Sequence, residues 1–242
     1  MDRLVWSPAE VVDVQGPAAL LRAYLEQRAV RELLTSVCVV DCYASAVACD
    51  IGCGFGRMTS VLSEFAAQVV GFEREPALVS TAQRLLPDVE VRRIETLTAL
   101  PAEAAAFDIG LVFTVLQHVP EPEIRGVIAE IGRVMKPGGI LLLCEETDPA
   151  LEAGDRLRAD LGYTCGRPVE TYAKWLAPMA LVATRRRIIE PGYPRADVGT
   201  YMTFRNSEQR LRPERGAEGQ RREAPPPSDS ERGWGPASAE KS

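Results

Sequence analysis

The run Asp50-Ile51-Gly52-Cys53-Gly54-Phe55-Gly56-Arg57 has the makings of a ligand-binding turn. Three glycines at alternate positions remove every second Cβ, so the chain can bend sharply and a ligand can lie against main-chain amides at a helix N-terminus. Glu73 follows Asp50 by 23 positions, about one strand-helix-strand unit. That spacing brings its carboxylate to the end of the neighbouring strand, where it can accept two hydroxyls of a ribose. His118, the single histidine of the chain, stands just past a later strand. An ordinary histidine pKa of about 6.5 suits a general base. Glu145 and Glu146 close another strand and are further candidates for proton removal or for orienting a substrate. Adjacent strand residues face opposite sides, so at most one of the two points into a cleft. For either one alone, a solvated carboxylate is the expectation.

These residues need elements to position them, and the hydrophobic pattern supplies a regular alternation. Val47 to Ile51 reads as a first strand, and Arg57 to Phe65 as the helix that leaves the glycine turn. Val69 to Phe72 is a buried strand ending on Glu73, and Pro76 opens a helix that Pro87 stops. Val89 to Ile94 and Phe107 to Phe113 are the third and fourth strands. Ile124, Val127, Ile128, Ile131, Val134 and Met135 fall on one helical face. Lys136-Pro137-Gly138-Gly139 ends that helix, and Ile140 to Cys144 is the fifth strand. Strand-helix-strand units of this length demand right-handed crossovers and a parallel sheet covered on both faces. The expected architecture is an open, doubly wound α/β sheet, mostly parallel and seven-stranded. In such a sheet the strand-end residues named above collect on one edge.

Toward the N-terminus, Pro17 precedes Leu20, Leu21, Tyr24, Leu25, Leu33 and Leu34 at helical spacing, which predicts a helical cap over residues 1–37. A helix near Val169 to Leu176, a strand from Leu181 to Ile189 and another from Gly199 to Phe204 complete the sheet, the last two strands as a pair. The catalytic domain is then residues 38–206. From Ser207 to Ser242 the chain is Arg, Glu, Pro, Gly and Ser with scarcely an aliphatic residue, so it is read as a disordered tail.

With 242 residues and 46% hydrophobic content, the chain can bury one core of ordinary domain size. Its net charge of -6 argues against nucleic acid as a partner. No apolar stretch approaches the roughly 18 residues of a membrane helix and no signal-peptide pattern opens the chain, so a soluble, cytoplasmic protein is expected. The six cysteines form no Cys-x-x-Cys pair, and with one histidine a metal site has few ligands to draw on. Reduced, mostly buried thiols are expected.

Taken together, the motifs resemble those of the class I S-adenosylmethionine-dependent methyltransferases from about Val47 to Phe204. Asp50 to Arg57 is similar to the family's first motif, Val70 to Glu73 to its acidic second-strand end, and Phe107-Asp108 through Leu116-Gln117-His118-Val119-Pro120 to its fourth-strand motif. Lys136 to Gly139 with the apolar strand after it resembles the fifth. The resemblance implies a Rossmann-like methyltransferase fold and S-adenosylmethionine as cofactor, leaving S-adenosylhomocysteine as product. It implies a cofactor site of Asp50, Gly52, Cys53, Gly54, Glu73 and Arg74. Glu95 or Thr96 would lie beside the adenine amino group, Leu97 against the ring, and Phe113 and Thr114 would contribute from the fourth strand. His118 and Glu146 are the catalytic candidates, and Arg167, Tyr163 and Tyr172 are either acceptor contacts or, with at least equal weight, core or surface residues. The acceptor would be a small molecule, methylated on oxygen in preference to nitrogen or carbon.

Two other functions use the same scaffold. A nicotinamide-dependent oxidoreductase binds at the same sheet edge, but its Gly-x-Gly-x-x-Gly spacing places the third glycine one position later than here. A non-catalytic protein could keep the fold and use the Arg- and Pro-rich tail to capture a partner. Oligomeric state is not written in the chain.

Overall fold

The computed structural model describes residues 17–38, 44–148, 156–158, 162–187 and 199–206, all within one compact unit, Met1–Gln209. The expected tail, and the ends of the expected cap and of the strand through Ile189, lie outside the described residues.

Helix α1 (Pro17–Val37) leads into β1 (Val47–Ile51), α2 (Thr59–Leu62), β2 (Gln68–Glu73), α3 (Pro76–Leu85), β3 (Glu90–Arg93) and β4 (Phe107–Phe113). After a 3₁₀ turn at Leu116–His118 come α4 (Glu121–Val134), β5 (Met135–Glu146), β6 (Arg156–Arg158), β7 (Gly162–Thr164), α5 (Val169–Trp175), β8 (Ala180–Arg186) and β9 (Gly199–Arg205). Seven strands form one sheet in the order β3-β2-β1-β4-β5-β9-β8, and β6 pairs with β7 as a separate ribbon. The first five of the seven run parallel; β9 is antiparallel to both β5 and β8. This is the doubly wound, mostly parallel architecture expected, with the last two strands paired. Strand order reverses between β1 and β4, so the crossovers leave that point on opposite faces and a crevice opens beyond their carboxyl ends.

Side chains alternate across the sheet as the strand period requires. Ile51, Val112, Leu141 and Leu143 join Ile124 and Ile131 of α4 and Tyr172 of α5 on one face. Ala48, Leu111, Leu142 and Cys144 join Ala29, Val30 and Leu34 of α1 and Val61 and Leu62 of α2 on the other. Tyr172 is therefore a core residue, and an acceptor contact is not open to it.

Three elements depart from the expected outline. The helix after the glycine turn is regular only over Thr59–Leu62. On both sides the chain winds tighter, with i to i+3 bonds such as Val61 N to Met58 O and Glu64 N to Val61 O. Strand β5 starts at Met135, directly after α4, so Lys136 to Gly139 belong to the strand. They pair with Asn206, whose N–H donates to Gly139 O while Gly138 N donates to Asn206 O. The short β6–β7 ribbon was not expected at all.

Helix α1 packs through its C-terminal half, leaving Leu20, Leu21 and Tyr24 exposed. One of its anchors is polar. Glu26 is buried, and its carboxylate accepts from Arg57 at 2.7 Å, from Arg187 at 2.6 Å and from Arg22 at 3.1 Å. Burial pushes this carboxyl up, but the guanidinia of Arg57, Arg187 and Arg22 outweigh it and hold the pKa at about 2. A lowered folded-state pKa contributes stability above the ordinary carboxylate range that is lost as pH falls through the folded value. Glu26→Ala leaves buried guanidinia uncompensated and is expected to cost about 3–5 kcal/mol in urea unfolding near neutral pH, whereas Leu20→Ala costs almost nothing. The Glu26→Ala deficit shrinks as pH falls from about 4.5 toward 2.

Candidate functional site

The glycine turn leaves β1 at the crevice. Gly52 N and Cys53 N both donate to Phe72 O, at 2.8 and 3.0 Å, tying the turn to the end of β2. Gly52 has a φ of 74°, and a Cβ there would lie 2.5 Å from Cγ2 of Val115. Gly56 has a φ of 92°, and its Cβ would meet Leu86 at 2.5 Å. At both positions the missing side chain makes room for a protein neighbour while the backbone takes a left-handed conformation.

Two carboxylates flank the turn. Asp50 is buried and accepts the Thr59 hydroxyl at 2.6 Å. Burial pushes its pKa up to about 7, against the pull of the Thr59 hydrogen bond and with the charge of Glu73 adding to the rise. Glu73 Oε1 accepts from Arg74 N and Glu75 N at 2.7 and 2.8 Å, and Oε2 accepts from Gly54 N at 2.9 Å. The second oxygen retains a lone pair for a hydroxyl.

A pocket open to solvent lies beside the turn, lined by Asp50, Gly52, Cys53, Gly54, Phe55, Arg57, Met58, Phe113 and Thr114. Six of these were sequence candidates; Phe55, Arg57 and Met58 were not. Arg57 lies over the Phe113 ring at 5.1 Å, with Arg187 also 5.6 Å from that centroid, and Glu26 accepts from both guanidinia, which ties Arg57 of the pocket wall to the buried Arg187. The signal for Arg57 was its place directly after the last glycine.

The other cofactor candidates stand outside this lining. Glu73 connects to it through Gly54, and Arg74 follows on the exposed side of that turn. Glu95 is exposed and pairs with Arg93 at 3.4 Å, while Thr96 bonds Thr98 at 2.8 Å. Leu97 is half-buried against the core on the α4 face.

Beyond β4, Thr114 takes a φ of 57°, unusual for a β-branched residue, and its N–H donates to Cys144 O at 2.7 Å. The expectation of solvated strand-end carboxylates fails, because Glu145 and Glu146 are both buried. Glu145 is consumed by main-chain amides, accepting from Val115 N, Leu116 N and Gln117 N at 3.1, 3.1 and 3.0 Å. Burial raises its pKa to about 7 although those bonds pull it down. Glu146 N donates to the Gln117 side-chain oxygen at 3.1 Å, which turns the Gln117 amide nitrogen toward His118 Nε2, 3.3 Å away. That nitrogen of His118 then accepts, and Nδ1 carries the proton facing the Thr164 hydroxyl at 3.2 Å. Arg167 is buried and turned to main-chain carbonyls of this loop, not outward as an acceptor contact would be. Tyr163 lies where side chains are outside the described set.

Among the described residues no cluster of His, Cys, Asp and Glu could hold a metal ion, and no helix is long and apolar enough to cross a membrane.

The chain resembles known proteins in sequence and in fold. The methyltransferase domain family matches residues 49–143. A ubiquinone biosynthesis O-methyltransferase of Xanthomonas oryzae pv. oryzae is 32% identical over 106 residues, 41% of this chain and 43% of that protein. The chain thus matches less than half the length of that relative. A solved S-adenosylmethionine dependent methyltransferase from Mesorhizobium loti superposes with a TM-score of 0.58 at 17% identity, covering 75% of this chain and 97% of that one. Geranyl diphosphate C-methyltransferase from Streptomyces coelicolor, solved with S-adenosyl-L-homocysteine, superposes with a TM-score of 0.59 at 12% identity, covering 74% and 76%. These structural likenesses establish the Rossmann-like methyltransferase fold.

Asp50 and Glu145 both titrate above the ordinary carboxylate range in the folded state. A raised pKa favours the folded protein below the ordinary value and withdraws that stability as pH rises through the folded value. The contribution of these two groups to the melting temperature is expected to fall between about pH 5 and pH 8. Asp50→Asn, which keeps an acceptor for Thr59, should flatten part of that slope in a thermal-melt series.

Proposed function

We propose that this chain, whose residues 49–143 belong to the methyltransferase domain family, transfers a methyl group from S-adenosylmethionine to an oxygen of a small molecule. The observation that carries the reading is the pocket between the glycine turn and the end of β4, with Asp50 inside it and Glu73 bonded to its floor. Its donors and acceptors fit the cofactor. A buried carboxyl held near neutrality is stabilised in its charged form by a cation, as an ammonium or sulfonium provides, and Glu73 keeps an oxygen for a ribose hydroxyl. A dinucleotide fits less well, because a pyrophosphate needs the free N–H groups of a helix N-terminus and α2 is only four residues long.

The bound cofactor would supply an electrophilic methyl carbon on sulfur. The chain must hold an acceptor in line with it and relieve that acceptor of a proton. His118 and Glu146, both at the acceptor side of the crevice, are the residues proposed for the proton. In the resting arrangement the His118 lone pair accepts from Gln117, so an acceptor hydroxyl would have to displace that weak bond. The O-methyltransferase name of the Xanthomonas relative supports oxygen as the site of transfer. Residues 1–37 are proposed as a cap, residues 38–206 as the catalytic domain and residues 207–242 as a disordered tail. A cytoplasmic location belongs to the same proposal, supported by free buried thiols at Cys49, Cys53, Cys144 and Cys165.

S-adenosylhomocysteine should bind the wild-type protein in calorimetry, and Gly54→Val and Glu73→Ala should abolish or severely weaken that binding. Retention by both variants would sink the cofactor assignment. His118→Ala should lower the maximal rate of labelled-methyl transfer by about 10²–10⁴-fold with cofactor affinity near wild type. Unchanged turnover would remove His118 from the proton step.

A further inference from the structure

The loop after β4 has its amides and its carbonyls taken by two buried groups of opposite charge. On one side the Glu145 carboxylate, fully buried at the end of β5, accepts the N–H groups of Val115, Leu116 and Gln117. On the other, Arg167 donates through Nη1 to Leu116 O at 2.8 Å and through Nη2 to Val119 O at 2.9 Å, with Nε on Glu121 at 2.8 Å. Arg167 lies just before α5, on the segment that follows β7. Its own N–H donates to Glu146 O at 3.1 Å, and Cys165 N donates to Gln117 O at 2.8 Å. The loop is thus gripped from the sheet and from that segment together.

The held loop carries three working positions. Thr114 lines the pocket. Val115 occupies the room left by the missing Cβ of Gly52, so its place determines how the glycine turn lies. His118 faces Thr164 at the end of the β6–β7 ribbon. An isolated 3₁₀ turn leaves part of its main chain to solvent or to chance partners. Here charged partners of fixed direction replace them, and charge-assisted bonds to rigid elements set a loop more tightly than neutral ones.

We propose that Glu145 and Arg167 are a positioning pair, which fixes the wall shared by the cofactor and the acceptor by holding the main chain of residues 115–119 between a buried carboxylate and a buried guanidinium. The pair acts through the loop and touches neither reactant. The proposal rests on the methyl-transfer reading of the pocket. It gives Glu145 a role distinct from that of Glu146, the strand neighbour proposed for the proton step.

The test uses S-adenosylhomocysteine as probe together with amide hydrogen exchange, well below the melting temperature. Glu145→Gln keeps the side-chain shape but sets an NH₂ against at least one of the three donors. Arg167→Lys keeps the charge and loses the two-pronged grip on the carbonyls. Neither residue lines the pocket. In the wild type the amides of Val115, Leu116 and Gln117 should exchange as slowly as those of β4. In Glu145→Gln they should exchange at least about tenfold faster while the β2 amides keep their rates, and in both variants the dissociation constant for S-adenosylhomocysteine should rise about tenfold. Rapid exchange of the three amides in the wild type would overturn the proposal, as would wild-type affinity in either folded variant. If Glu145→Gln does not fold, Arg167→Lys and wild-type exchange decide the matter. A wild type that binds no S-adenosylhomocysteine overturns the reading of the pocket itself; slow loop amides then separate that failure from failure of the grip.

Discussion

The lie of the glycine turn depends on one contact: the side chain of Val115 lies where a Cβ on residue 52 would be. Two loops that leave neighbouring parallel strands in opposite directions meet there, one from β1 and one from β4. Only glycine at 52 permits the approach, and only a fixed Val115 gives the glycine turn something to close against. The amides of Gly52 and Cys53 then reach Phe72 O, and that of Gly54 reaches Glu73, so β2 completes the frame. The strand-order reversal makes the crevice available, and this contact determines its shape.

Three buried carboxylates serve the frame in three ways, and their surroundings separate them. Glu26 is surrounded by guanidinia and stays ionised far into acid, joining α1 to Arg57 at the pocket wall. Glu145 meets only main-chain amides nearby and Arg167 at longer reach, and its pKa stands near neutrality. Burial, with the charge of Glu73 adding to it, raises Asp50 to about 7 against the pull of its one hydroxyl partner, and this group stands on the wall of an open pocket. Of the three, Asp50 is the one whose ionised form is left for a ligand to satisfy.

Much of the fold was legible because it rests on long periodic runs. Val47–Ile51 and Phe107–Phe113 stand where the apolar runs placed them, and the face of α4 follows Ile124, Val127, Ile128 and Ile131. The start of β5 was misread because Pro and Gly signal a turn, yet Gly138 and Gly139 here serve a bent strand that pairs with Asn206. The β6–β7 ribbon has three residues a side, too few for any period to show. In the site, the glycines and Glu73 declare themselves by spacing. Phe55 and Met58 do not, since their membership depends on side-chain direction in an irregular turn. The burial of Glu26 and Glu145 was hidden for a related reason: a carboxylate is assigned to solvent unless its partners are known, and these partners come from Arg187 and from main chain far along the sequence.

The central claim is that the pocket between the glycine turn and the end of β4 seats S-adenosylmethionine. Diffraction from crystals of the full chain grown with S-adenosylhomocysteine tests it most directly. The account predicts density in the space bounded by Asp50, Gly52, Arg57 and Phe113, with a ribose hydroxyl on the second oxygen of Glu73 and the sulfur on the Thr114 side. Density at another surface, or an empty pocket at saturating ligand, would contradict it.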